Sequence, residues 1–147
     1  MREIGFPDRE TFLPTYAELG EHLDGVLADY GLSWDRAAIG GFSQGAVMSY
    51  ALALGTARPR PSAILAFSGF LPTVEGLELD LKSRSGLSVS IAHGSLDPII
   101  GVEFGRRARA ELEEAGLDVG YREDPVGHTI TPGGLAQAIT VLAAALG

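Results

Sequence analysis

The sequence contains no cysteine, and that absence removes whole classes of chemistry. A disulfide framework, a thiolate nucleophile and a Cys-ligated metal are all excluded. No apolar run reaches the ~18 residues that a membrane-spanning helix requires. The opening stretch, Met1-Arg2-Glu3-Ile4-Gly5-Phe6-Pro7-Asp8, is too polar for the apolar core of a secretory leader. The expectation is a cytoplasmic protein with no membrane partner. Basic residues are scarce, 11 against 19 acidic for a net charge of −8, and none cluster with aromatics. Such a surface repels phosphate backbones, so no nucleic-acid partner is expected. The three histidines, His22, His93 and His128, lack the H-x-x-x-H spacing of a metal site. Neither a metal nor a cofactor is expected.

What remains is a chain of 147 residues, 46% hydrophobic and 20% charged. That is too apolar for disorder and long enough to bury a core as one domain, residues 1–147. No repeat or low-complexity linker divides it.

Apolar spacing alternates between two periods. Thr15 with Glu18 reads as a capping box, with Pro14 just before it. Leu19, Leu23, Val26, Leu27 and Tyr30 then recur at helical spacing, and Gly31 suits a left-handed stop. Short apolar runs at Ala37–Phe42, Ser62–Phe67 and Leu87–His93 read as buried strands. Asp118–Glu123 reads as a fourth, less apolar strand. Helices are expected at about 44–54, at 101–115 and at 133–146. The 101–115 helix carries Val102, Ala108, Leu112 and Ala115 inward, and the last carries Leu135, Ile139, Leu142 and Leu146. Strands alternating with helices imply parallel crossovers. The expected fold is α/β, an open, mostly parallel sheet of about four strands between helix layers. Ligands in such folds bind beyond the carboxyl ends of the strands.

Chemistry-bearing residues stand at those ends. After the first strand comes Gly41-Phe42-Ser43-Gln44-Gly45, a G-x-S-x-G pattern between strand and helix. The turn is expected to be so tight that only residues lacking a Cβ fit on either side of the serine. It lifts the Ser43 hydroxyl clear and aims the Gln44 backbone N–H at a developing oxyanion. A serine needs a base held by a third group. Asp97 follows the third strand in His93-Gly94-Ser95-Leu96-Asp97-Pro98. His128 follows the fourth in Pro125-Val126-Gly127-His128-Thr129-Ile130. The order Ser43, Asp97, His128 is the α/β-hydrolase order. Each residue also has a plain reading: Ser43 as a helix N-cap, Asp97 as a turn residue before Pro98, and His128 as an exposed loop histidine. His93 reads as a structural hydrogen bonder and His22 as a solvated residue. Phe42, Phe70, Leu71, Ile99 and Ile100 are candidates for the pocket lining.

The segment from Leu32 to Gly45, ending Gly40-Gly41-Phe42-Ser43-Gln44-Gly45, resembles the phospholipase/carboxylesterase family of α/β-hydrolases, which includes acyl-protein thioesterases. Ser68-Gly69-Phe70-Leu71-Pro72, His93 to Pro98 and Gly127-His128-Thr129-Ile130 extend the likeness from about Thr15 to the end. The resemblance implies hydrolysis of carboxylic esters or thioesters without a cofactor, its triad falling on Ser43, Asp97 and His128. The chain departs from the family at its front. Family members have several strands before the serine, one followed by a Leu-His-Gly type loop that gives a second oxyanion donor. Here 36 residues precede Ala37, and no His-Gly pair occurs before Ser43. The serine strand is then expected to be an apolar sheet edge, covered by a second copy in a two-fold dimer. A second donor would have to come from the Met1–Pro14 segment or a partner chain. Three readings follow: a small esterase for short acyl esters, with thioesterase or lactone hydrolase as variants; a catalytically silent binding module; or part of a longer gene product.

Overall fold

A computed structural model describes residues 3–147, and Met1 and Arg2 lie outside the described residues. Its centre is a four-stranded sheet of β1 (Ala38–Phe42), β2 (Ala63–Phe67), β3 (Ser88–Gly94) and β4 (Asp118–Asp124), adjacent in chain order and all parallel. The helices are α1 (Arg9–Asp29), α2 (Gln44–Leu54), α3 (Val102–Glu114) and α4 (Pro132–Leu146). No helix among the described residues is long and apolar enough to cross a membrane.

Strand pleating sorts the layers. Ile39, Ile64, Val89 and Ile91 point to one face and meet Tyr50 and Leu54 of α2 and Ala108 and Leu112 of α3 in the main core. α1 packs outside α2, through Phe12, Val47 and Ala51. On the other face α4 lies over β2, β3 and β4. The buried Arg84 guanidinium donates to the carbonyls of Ala53, Gly55 and Arg58, a cation at the C-terminal end of α2 where the helix dipole favours one.

Two expectations need correction. α1 begins at Arg9, six residues before Thr15. Asp8 is its N-cap, its carboxylate accepting the Glu10 N–H. Thr15 instead donates its hydroxyl back to the Thr11 carbonyl. Pro14 therefore stands inside the helix, where it withholds the bond its N–H would give the Glu10 carbonyl. The helix does stop as expected. Gly31 takes φ +67, and its N–H and that of Leu32 donate to the Ala28 and Leu27 carbonyls.

The second correction concerns α4, whose period is right and whose phase is not. Gly134 and Ala138 are its buried residues, because small side chains let the helix sit close on Ala92 and Phe67. Gln137 reaches the Ile91 and Gly120 carbonyls from the same helix. Leu135, Ile139 and Leu146 are turned outward. In α3, Ala108 and Leu112 are buried while Val102 and Ala115 are only half-buried.

The packing separates two substitutions in different helices. A Cβ at Gly25 in α1 meets nothing, so Gly25→Ala should raise stability by about 0.5–1 kcal/mol. Leu112→Ala, which opens a cavity under α3, should lower it by roughly 2–5 kcal/mol. Urea unfolding midpoints of the two variants check both signs.

Candidate active site

The carboxyl ends of β1 and β3 and the loop after β4 meet above the sheet. Ser43 bridges β1 and α2 with φ +57 and ψ −116, a backbone state that L-residues rarely adopt. The fold imposes it. The Ser43 N–H donates to the Phe67 carbonyl at 2.8 Å, and the Ser43 carbonyl accepts from Ala46 and Val47 at 3.1 Å. A Cβ at Gly41 would lie 2.5 Å from the Gly45 backbone, and one at Gly69 would lie 2.5 Å from the Ala46 Cβ. The requirement for glycine is one-sided within the pentapeptide, since a Cβ at Gly45 would meet nothing.

Although Ser43 occupies the N-cap position of α2, its side chain makes no capping bond. Its Oγ lies 2.9 Å from His128 Nε2, and His128 Nδ1 lies 2.7 Å from Asp97 Oδ2. The tautomer with the proton on Nδ1 satisfies both contacts: Nδ1–H donates to Asp97, and Nε2 accepts from the Ser43 hydroxyl. Asp97 Oδ1 accepts the N–H groups of Ile99 and Ile100 at 2.8 and 2.9 Å. The aspartate is thus both the turn residue that its place before Pro98 suggests and the partner of His128. Burial pushes its carboxyl pKa up. The His128 bond and the two backbone donors outweigh that and hold it below the ordinary carboxylate range.

His93, buried beneath this pair, places Nε2 2.8 Å from the Ile100 carbonyl and 3.7 Å from Asp97 Oδ2. It braces the turn that aims Asp97. Its ring abuts α3 at Gly105, where a Cβ would fall 2.8 Å from Nδ1. The exposed His22 lies away from these groups, on α1. Among the described residues no group of three or more His, Asp or Glu could hold a metal ion.

Beside Ser43 opens a cleft of about 450 Å³. Phe70, Ile99 and Ile100 line it, as does Gln44, which opens α2 where backbone N–H groups lack intrahelical acceptors. Phe42 and Leu71 lie elsewhere. Phe42 points to the opposite face of β1, its ring 4.7 Å from the His128 ring. Leu71 lines a separate depression with Phe6 and Phe104. The wall that sequence reasoning missed comes from Ile4, Phe12 and Thr15 of the N-terminal stretch and α1, with Val47 and Met48 of α2. The helix expected from Thr15 left Phe12 out, so nothing in that reading pointed to this wall. The 3–8 part of the Met1–Pro14 segment does reach the site, through Glu3, Ile4, Pro7 and Asp8.

This geometry can deprotonate a serine hydroxyl as it attacks a carbonyl and offer the Gln44 N–H to the resulting oxyanion. The profile of the Phospholipase/Carboxylesterase family matches residues 8–146. Acyl-protein thioesterase 1 of Debaryomyces hansenii is 27% identical over 148 residues, which cover 95% of this chain and 63% of that protein. Acyl-protein thioesterase 1 of Neurospora crassa is 35% identical over 105 residues, 69% of this chain and 42% of that protein. The Bacillus cereus carboxylesterase shares the fold with a TM-score of 0.76 at 24% identity, over 93% of this chain and 63% of its own. Esterase PE8 gives 0.74 at 28%, over 90% and 61%. The chain therefore spans less than two thirds of the length of these relatives. It belongs to the phospholipase/carboxylesterase family of α/β-hydrolases.

Proposed function

We propose that the protein is a serine esterase that hydrolyses short-chain carboxylic esters through an acyl-enzyme on Ser43. The observation that carries this reading is the unbroken relay from Ser43 Oγ through the His128 ring to Asp97, at 2.9 and 2.7 Å. In the first step His128 Nε2 takes the hydroxyl proton as Oγ attacks the ester carbonyl. The imidazolium that forms is stabilised by the ionised Asp97. The Gln44 N–H, at the positive end of the α2 dipole, steadies the oxyanion. His128 then protonates the departing alcohol, and the Ser43 ester remains. Water, deprotonated by the same imidazole, attacks that ester and releases the acid.

The cleft supports an acyl substrate, being of the size of small-molecule sites and largely apolar in its walls. Glu3 and Asp8 add carboxylates to that lining, which disfavours anionic substrates. Thioesters and lactones would use the same groups, as the thioesterase relatives suggest.

Ser43→Ala should abolish hydrolysis of p-nitrophenyl acetate and butyrate, and a fluorophosphonate should label the unsubstituted protein but not this variant. Unchanged turnover in Ser43→Ala would end the proposal. Asp97→Asn should lower kcat by about 10³–10⁴, because the imidazole loses its tautomer and its counter-charge. The same variant has a pH signature. The folded carboxyl pKa lies below the unfolded value of about 4, so its stabilisation is full above that value and is lost as pH falls through the folded one. The stability gap between the protein and Asp97→Asn should be flat above roughly pH 5 and narrow below about pH 4. Thr15→Trp, filling the cleft from the exposed side of α1, should lower kcat/KM for a hexanoate ester about tenfold or more relative to acetate. An acyl-chain series reads this directly.

A further inference from the structure

We propose that Phe42 is a positioning residue for His128: its ring sets the tilt of the imidazole and favours the imidazole once it carries the serine proton. This role belongs to the esterase reading above and can be measured apart from it. The backbone that carries His128 is anchored on both sides. The Ser95 and Leu96 N–H groups donate to the Asp124 and Val126 carbonyls at 2.8 and 3.0 Å. Gly94 passes so close that a Cβ on it would lie 2.1 Å from the Gly127 carbonyl oxygen. Beyond the histidine, the Thr131 hydroxyl donates to Asp124 at 2.7 Å and ties the loop to the end of β4. These contacts place the His128 Cα and leave its two side-chain torsions open. The bonds from Nε2 to Ser43 and from Nδ1 to Asp97 then fix the nitrogen-bearing edge of the ring. Rocking the ring about the line through its two nitrogens changes both distances little. A contact on the ring face opposes that rocking, and Phe42 supplies one.

Alternation explains why Phe42 is there. It ends β1 three residues after Ile39, which enters the core under α2 and α3, so its side chain points to the opposite face. That is the face of α4, the helix into which the His128 loop leads. The Phe42 and His128 ring centroids lie 4.7 Å apart with 40° between the planes. The separation is at the short end of the ~4.5–7 Å range of aromatic contacts, and the tilt is nearer stacked than edge-on. Phe42 cannot drift from this place, because the Ser43 N–H that follows it is bonded to the Phe67 carbonyl. At 38% exposure on an outer strand, the ring contributes little to the core. Its close contact is with the base.

The contact also bears on charge. The imidazole sits inside the ~6 Å within which an aromatic face attracts a cation. It is neutral before the reaction and becomes a cation as Nε2 takes the proton from Ser43 Oγ. The attraction is therefore stronger in the transition state than in the ground state, and such an interaction raises kcat. Other charged groups surround the site. Asp97 is bonded to the ring, with His93 3.7 Å from that carboxylate. Asp124, held by Arg122 and Thr131, stands at the end of β4, beside the Glu123–Arg106 pair. Glu3 and Asp8 line the cleft beside Ser43. β1, α2, α4 and the 125–131 loop bring no Asp, Glu, Lys or Arg. On the β1 side, the π face of Phe42 is what answers the new charge.

The test changes the charge distribution of the ring and keeps its outline. Trifluoro- and pentafluorophenylalanine are placed at position 42 by codon suppression, beside Phe42→Tyr and Phe42→Leu. The His128 Cε1–H resonance, assigned with His128→Gln, is followed by NMR against pH in the Ser43→Ala chain, which requires no turnover. The midpoint of that titration should fall stepwise with fluorination, fall by about half a pH unit in Phe42→Leu, and hold in Phe42→Tyr. With Ser43 present, Phe42→Leu should lower kcat for p-nitrophenyl acetate about two- to fivefold and leave KM within about twofold. It should move the acid limb of the kcat/KM profile to lower pH by the same half unit, and Phe42→Tyr should restore both. A midpoint indifferent to fluorination would overturn the proposal. So would equal losses in Phe42→Tyr and Phe42→Leu, or a Phe42→Leu chain with unchanged kcat and acid limb. Should the NMR series behave as expected while the unsubstituted chain hydrolyses no ester, Phe42 keeps this role and the esterase reading fails.

Discussion

The site depends on one backbone constraint, the turn that holds Ser43 at φ +57 between β1 and α2. A non-glycine residue in that region costs of order 1–3 kcal/mol and persists only where its surroundings leave it no choice. Here the surroundings are the Phe67 carbonyl on the Ser43 N–H, the close pass of Gly41 over Gly45, and the first turn of α2 hung from the Ser43 carbonyl. Relaxing any of them would let the serine fall back toward an ordinary N-cap, its hydroxyl turned to its own helix. Parallel pairing does the rest. Once β1, β2 and β3 are in register and β4 follows, the loops carrying Asp97 and His128 open on the same end of the sheet.

Behind that constraint lies a graded polar arrangement. Asp97 has both oxygens engaged, one by two backbone N–H groups and one by His128. Its charge is therefore held before any substrate arrives, the condition for stabilising an imidazolium without reorganisation. His93 and the Ile100 carbonyl lock the turn from beneath. A buried carboxylate with fewer donors would favour its protonated form, and the histidine would lose its orienter.

Ser43 and Asp97 were legible because each follows a strand whose apolar run is unambiguous, and His128 because it completes an order shared by α/β-hydrolases. β1, β2 and β3 were legible from their apolar runs, whereas β4 is poorly apolar and charged. The errors have physical causes. Thr15-x-x-Glu18 mimics a helix start, yet the cap is Asp8, and Pro14 is tolerated within the helix. In α4 the large side chains misled, because the buried flank is built of Gly134, Ala138 and the hydrogen-bonding Gln137. The cleft was only half legible. Phe70, Ile99 and Ile100 stand next to motif residues, whereas Phe12 and Thr15 arrive from about thirty residues before Ser43 by the packing of α1 on α2, and Ile4 from the stretch that precedes α1. Phe42 was misplaced because strand alternation sends it to the far face, where it meets the His128 ring.

The central claim is that a Ser43 acyl ester lies on the reaction path. Acid quenching of the protein within the first turnovers of p-nitrophenyl acetate, followed by peptide mass spectrometry, tests it most directly. An added acetyl group should appear on the peptide containing Ser43 with the first equivalent of nitrophenol and decay as substrate is exhausted. Hydrolysis that proceeds with the acetyl group on another residue, or with Ser43 never modified, would contradict it.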